Sequence, residues 1–349
     1  LFAHHSDDLD EAEALRRPVR LPHALIGGSL VGLLFLALPE IATAAPSVLR
    51  PATPQAEEIK SLAIYLFVLS AVILLGVEAV LLYSIVRFRN RPEDEVRQTH
   101  GNNTIEAVWT LIPVVLIIII FTMTVRTMDS LELPGGDVEL DVVGHQWWWE
   151  VRYPEQQFAT ANEIHVPEGR EVAVRLTSAD VIHSFWVPQI GGKTDLVPGH
   201  VNRTSFLAAT PGTYLGECAE FCGLQHARMR FFLIVESAAD FSAWITHQQE
   251  DATEPANDAA VRGQQVFLTS SCIGCHTVRG TSAAGIVGPD LTHLAGRLSI
   301  GAGTLDYSAE NLRRWLEDPQ EIKPGNLMPT PELDPQALDD LVAYLDGLE

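Results

Sequence analysis

Two long apolar runs constrain this chain more than any other feature. Leu62 to Val86 carries Glu78 as its single charged residue, and Ala107 to Val125 carries none, with Pro113 near its start. A helix rises about 1.5 Å per residue and a hydrocarbon core is about 30 Å thick, so each run is long enough to cross a bilayer. Lipid offers no partner for a backbone N–H or C=O, which makes both runs helices. Glu78 is costly against lipid and is expected to face a partner helix or an interface. Arg87, Arg89, Arg91 and Arg97 crowd the loop between the runs. Glu93, Asp94 and Glu95 share it, but acidic residues count little in the positive-inside rule, so the loop is cytoplasmic. The two helices form a hairpin over 57–127, and everything after Met128 is extracytoplasmic.

The segment 1–45 has Arg16, Arg17 and Arg20, an apolar core from Ala24 to Leu38, and small residues in ATAAPS. That order reads as a secretory signal cleaved around Ala42 to Ala45. A retained first membrane helix is the competing reading, although the core is short for a full span.

Beyond the hairpin, 128–240 alternates in short runs: VELDVVGHQWWWEVRY, EVAVRLTS, HSFWVP, NRTSFLAA and MRFFLIVES. Period-two patterning bounded by Gly and Pro predicts strands, and this many in one stretch predicts an all-β Greek-key sandwich or barrel. A polar, acidic linker is expected over 241–257. The segment 258–349 reads as a small all-α domain, with helices around AAVRGQQVFLT, Ala309 to Leu316 and Asp334 to Leu345. Net charge is -22 and the pI about 4.8, which disfavours nucleic acid as a partner and favours a basic soluble protein. The chain has four cysteines, all in two motifs, so none is left for a structural disulfide framework.

The first motif is GECAEFCGLQHARM. Cys218 and Cys222 are four apart, His226 is four further, Met229 three beyond that, and His183 comes from HSFWVP upstream. Thiolate, imidazole and thioether together suit a soft transition metal, copper above all. At this spacing both thiolates can bridge a pair of metals. Each metal then takes one imidazole and a weak ligand, the Met229 thioether for one and a backbone carbonyl for the other. A Cys218–Cys222 disulfide explains neither histidine nor Met229, a Cys2His2 zinc site leaves Met229 idle, and a single blue-copper centre needs one cysteine. A catalytic cysteine–histidine pair lacks an orienting partner.

The second motif, CIGCH from Cys272 to His276, reads as covalent haem attachment with His276 as proximal ligand. A thioredoxin-like CxxC is its rival. Against it stand the absence of a strand–helix setting, the extracytoplasmic side, and a soft distal ligand in GNLMP, where Met328 lies fifty-two residues past His276. Methionine opposite histidine keeps iron six-coordinate and suits electron carriage.

HSFWVP and GECAEFCGLQHARM resemble the dinuclear CuA motif of haem-copper oxidase subunit II. GHQWWWEVRYP resembles the tryptophan-rich strand of that family, and the hairpin matches too, so the likeness runs over roughly Glu57 to Ser237. It implies a cupredoxin-like domain. It also implies that His183 and Met229 ligate one copper, His226 and the main-chain oxygen of Glu220 the other, with Cys218 and Cys222 bridging. By the same likeness electrons enter at Trp147, and Trp148 stands where tyrosine is frequent. The likeness further implies that the Glu220 carboxylate helps hold a Mg2+ at the boundary with subunit I and that Glu106 lies near the mouth of a proton channel into it. For Trp148 and Trp149 packing is the expected role. The segment 258–349 resembles a class I cytochrome c domain, with Cys272, Cys275, His276 and Met328 on haem c.

A cytochrome c fused behind a CuA domain resembles the caa-type oxidases, chiefly bacterial. The implied function is electron input to cytochrome c oxidase in the plasma membrane. Subunit I, the partner, would reduce oxygen and translocate protons; subunit III and a soluble cytochrome c or similar donor complete the set of partners. A CuA subunit of a nitric oxide reductase and a free-standing membrane-tethered shuttle stay open as alternatives.

Overall fold

The computed structural model describes residues 47–89, 100–131 and 135–349. The leader reading and the charges at Arg91, Glu93, Asp94, Glu95 and Arg97 fall outside the described residues.

Helix α1, Pro54–Phe88, and helix α2, Asn103–Leu131, are the two apolar runs. α1 begins earlier than the hydropathy implies because Thr53 caps it, its Oγ1 accepting from Ala56 N at 3.1 Å, with Pro54 in the first turn. Asn102 does the same for α2, its Oδ1 accepting from Thr104 N and Ile105 N at 3.1 and 3.2 Å. Both helices are exposed along nearly their whole length, as spans meant for lipid or for partner helices must be. The foot of α1 is tied to the β-domain. Ala52 N donates to Gln189 O at 2.7 Å and Thr53 Oγ1 donates to Ile190 O.

Ten strands follow, in two five-stranded sheets. The first, in spatial order, holds β3 (Phe158–Ala161), β2 (Trp148–Tyr153), β1 (Val138–His145), β5 (Glu171–Ser178) and β8 (Asn202–Leu207). The second holds β4 (Glu163–Pro167), β10 (Arg230–Glu236), β9 (Gly212–Cys218), β6 (His183–Trp186) and β7 (Thr194–Leu196). β1 runs parallel to β5 and β10 parallel to β4; the other pairings are antiparallel. The core fills the space between the sheets, with Trp149, Phe185 and Phe231 in mutual ring contact at its centre. This is the expected cupredoxin-like sandwich. One run breaks where a single strand seemed continuous: GHQWWWEV turns at Gln146 and Trp147, so β1 and β2 are a hairpin and Trp147 sits at its tip.

The stretch expected as a linker over 241–257 is ordered differently. Helix α3, Ala238–Gln248, is capped by Ser237 and packs Phe241, Trp244 and Ile245 on the sandwich core. Trp244 stacks on His165 with ring centroids 4.0 Å apart. The i, i+3, i+4 spacing of those apolar residues was the available signal. The irregular connection is thereby shortened to 249–257.

The last domain is built on helix α4, Asp258–Thr269, crossing the terminal helix. After α4 come a short strand pair, β11 (Ser299–Ile300) with β12 (Leu305–Asp306), then α5 (Ala309–Glu317), the single turn α6 (Pro319–Ile322) and α7 (Pro335–Leu345). α4 and α7 touch at Gly263, where an added Cβ would lie 1.9 Å from the Asp340 carbonyl oxygen. Only glycine permits that approach. Arg262 and the buried Asp340 pair beside it at 2.7 and 2.8 Å.

Candidate metal centre and haem site

β9 ends at Cys218 and β10 starts at Arg230; the loop between them is closed by Cys218 N donating to Met229 O at 3.0 Å. β6 lies on the other side of β9, with Phe185 opposite Cys218, and brings in His183. The loop therefore folds its side chains inward against a rigid sheet edge, which is what a metal site with fixed geometry needs.

The Cys218 and Cys222 sulfurs are 3.7 Å apart, far beyond the roughly 2.05 Å of a disulfide, and all four cysteines are free. His183 Nδ1 lies 3.9 Å from Cys218 Sγ, and His226 Nδ1 3.7 Å from Cys222 Sγ. Met229 Sδ is 3.8 Å from Cys222 Sγ, and the Glu220 carbonyl oxygen is 3.2 Å from Cys218 Sγ. His183, Cys218, Cys222 and Met229 are buried and His226 half-buried. All six residues read from the sequence as ligands thus converge. The facing Cys222 thiol, against the cost of burial, pulls Cys218 well below the ordinary thiol range, and the same contact with burial pushes Cys222 up. Two sulfurs that compete for one proton suit displacement of protons by a metal. The sulfur and imidazole donors are gathered on one loop and strand edge, four of them buried, so the residues fit a copper pair.

Three supporting residues escaped sequence reading. Asp180 Oδ1 meets His183 Nε2 at 2.8 Å, leaving Nδ1 to face the sulfurs. Burial would raise the Asp180 pKa, but the bonds from His183, Val181 N and Gln146 N outweigh it and hold the carboxyl low. Gly144 leaves room for the imidazole, since a Cβ there would lie 2.7 Å from His183 Cδ2. Gln146 Nε2 donates to the Cys222 carbonyl at 2.7 Å. Trp147 Nε1 donates to that same carbonyl at 3.0 Å, so its ring rests on the metal loop. Trp149 is fully buried, and Trp148 stacks on His145 at 4.4 Å, in keeping with packing roles.

The Glu220 carboxylate pairs with Lys193 at 3.5 Å. Glu106 caps the start of α2, its Oε1 accepting from Asn102 N at 3.2 Å.

In the helical domain, Cys272 lies on the turn Ser271–Gly274, with Cys275 and His276 just after it. His276 Nδ1 is bonded to the Pro289 carbonyl at 2.8 Å, which leaves Nε2 free to ligate. Burial lowers the His276 pKa in spite of that carbonyl, which favours the neutral ring, the form that offers a lone pair. Glycines clear the surroundings: a Cβ on Gly288 would be 2.7 Å from His276 Cε1, and one on Gly285 2.6 Å from the Cys275 backbone. Met328 packs on the same core as Cys272 and Ile273. Its backbone is pinned, N donating to Asn326 Oδ1 and O accepting from Gln320 Nε2, each at 2.8 Å. Two free thiols, an oriented imidazole and a methionine on a pinned backbone fit a c-type haem.

A two-helix anchor, a sandwich with a sulfur-rich metal loop and a helical domain with a haem-attachment motif define a membrane-bound electron-transfer protein. Comparison with known families gives the class its name. Residues 45–126 match the family model for the transmembrane domain of cytochrome c oxidase subunit II, 154–238 its periplasmic domain, and 260–349 cytochrome c. Cytochrome c oxidase subunit 2 of Alkalihalophilus pseudofirmus is 37% identical over 313 residues, covering 87% of this chain and 91% of that one. The Bacillus subtilis protein of the same name is 31% identical over 327 residues, 87% of this chain and 92% of that one. The chain belongs to the cytochrome c oxidase subunit 2 family and carries a C-terminal cytochrome c domain, the arrangement of the caa-type oxidases. Membership makes it a membrane-anchored terminal-oxidase subunit with extracytoplasmic domains, and implies CuA copper, haem c and subunit I as partner.

Proposed function

We propose that the chain takes electrons from a soluble donor, a cytochrome c or a protein like it, at its haem domain. It passes them by way of the CuA domain to the haem-copper centre of subunit I, where oxygen is reduced and protons are pumped. Bound here, haem and the copper pair supply reversible one-electron chemistry. The protein's part is to hold the donors still.

His183 and Met229 would hold one copper, His226 and the Glu220 main-chain oxygen the other, with Cys218 and Cys222 between them. Asp180 fixes the His183 tautomer, and the apolar wall formed by Trp149, Phe185 and Phe231 keeps water away. That rigidity limits rearrangement on a change of charge, which favours electron carriage over bond chemistry. Cys272 and Cys275 would anchor haem, and His276 and Met328 would ligate its iron, a donor set that suits electron carriage over ligand activation. Outward from the loop, the Glu220 carboxylate would share a Mg2+ with subunit I. Glu106, at the cytoplasmic start of α2, would stand near a proton channel into that subunit. Subunit III is the further expected partner.

The observation that carries the reading is the position of Trp147. Its indole N–H donates to the carbonyl of Cys222, and its own carbonyl accepts from Lys323 of the cytochrome domain at 2.9 Å. One residue thus touches both redox domains, as a residue through which electrons enter should.

The test is purification through a tag on this chain from its own membrane in mild detergent. A haem-copper subunit I that consumes oxygen is expected to come with it. Recovery as a fully loaded monomer, or with a partner that reduces nitric oxide instead, would overturn the proposal.

A further inference from the structure

Lys323 is a buried amine whose pKa burial pulls down to about 7, and the reading above uses it only as a neighbour of Trp147. It is 2% exposed and follows α6 in the loop that leads to Met328. Its Nζ donates to the carbonyl oxygens of Trp147 at 2.9 Å, Arg228 at 2.8 Å and Gly301 at 2.7 Å. These are three acceptors for the three N–H bonds of an ammonium. Burying such a charge is costly unless every N–H is paired, so this geometry is a built site rather than a chance contact. Trp147 and Arg228 belong to the copper domain, and Gly301 lies in the β11–β12 turn of the haem domain. Arg228 is the residue before Met229, and Trp147 is bonded to Cys222. One side chain therefore ties the haem domain to both halves of the copper site's surroundings. Its neighbours reinforce the tie. Gln225 Nε2 donates to Pro324 O at 2.6 Å, the Arg228 guanidinium donates to Ile322 O, and a Cβ on Gly325 would sit 3.0 Å from Leu224 Cδ2.

We propose that Lys323 is a positioning residue that clamps the methionine loop of the haem domain onto Trp147 and the copper loop, and thereby sets the rate of electron transfer between the domains. The inference rests on the reading that both domains carry redox groups. The step it positions moves one electron from the reduced haem domain to the oxidised copper domain, with no bond made or broken and no proton carried.

Two measurements on the full chain, in its purified and metal-loaded oxidase, test it. The chain has three lysines, Lys60, Lys193 and Lys323, so amine-reactive labelling read by mass spectrometry resolves each one. Lys323 is expected to label about tenfold or more slower in the native protein than after denaturation. Labelling at the denatured rate would overturn the clamp, without need of any variant. Second, Lys323→Gln and Lys323→Met are compared with the wild type after an electron is placed on the haem, with each centre followed at its own absorption bands. Both variants are expected to keep the copper and haem spectra and the rate of haem reduction by a soluble donor. Interdomain transfer should slow by about tenfold or more, and further in Lys323→Met than in Lys323→Gln. Rates equal to wild type in both would overturn the proposal. Absence of transfer in the wild type itself would instead sink the underlying reading, and the labelling result would then judge the clamp alone.

Discussion

His183 is oriented from behind. Its Nε2 is taken by Asp180 and its ring has space only because Gly144 lacks a Cβ. Asp180→Asn should therefore weaken copper retention by about 10–100-fold with the fold intact, read as copper loss to a chelator against a melting curve. Retention equal to wild type would show that the carboxylate does not position the ligand. Met229→Leu is expected to perturb the copper optical bands and leave the haem spectrum alone, and Met328→Leu to do the reverse. A change in both spectra from either variant would contradict the separation of the two sites. The ligands themselves were legible in the sequence because five of the six lie within twelve positions of one loop, where spacing is geometry. Asp180, Gly144 and Gln146 were not, because β1 and β5 pair in one sheet while β6 and β9 pair in the other, and only the packing of the two sheets brings these residues to the site.

Among the elements, the α4–α7 crossing and the α3 packing make the sharpest expectations. Gly263→Val forces a side chain against the Asp340 carbonyl, and overpacking of that kind costs about 1–3 kcal/mol. The haem domain should melt lower by about 4–8 °C per kcal/mol, followed at the haem absorption. An unchanged melt would mean the helices can part freely. Under α3, His165 sits between Glu236 at 3.0 Å and Glu163 at 3.8 Å. Burial opposes its charge, but the two carboxylates outweigh burial and raise its pKa. A raised histidine stabilises the fold fully below its unfolded value of about 6.5, and that contribution fades as pH climbs through the folded value. The melting temperature of the copper domain should accordingly fall as pH rises above this range, and His165→Gln should flatten that slope. A slope unaffected by the substitution would assign it elsewhere. The hairpin and the main helices were legible from hydropathy and periodicity. α3 was not, since one short amphipathic turn set among acids and Thr246 reads as linker until its Trp244 finds His165.

Over the whole molecule, charge and docking decide the behaviour. From Glu250 to Glu349 sixteen acidic residues face six Lys and Arg, which favours a basic donor steered by electrostatics. Reduction by such a donor should slow steeply as salt rises, and a rate constant independent of salt would contradict the steering. How the haem domain docks was not legible in the chain, because the three acceptors of Lys323 lie 176, 95 and 22 residues away. The most direct test of the account is metal and haem analysis of the purified extracytoplasmic portion, with visible and near-infrared spectra. Two coppers and one c-type haem per chain are expected. Zinc, a single copper, or a bond between the sulfurs of Cys218 and Cys222 in correctly matured protein would contradict it.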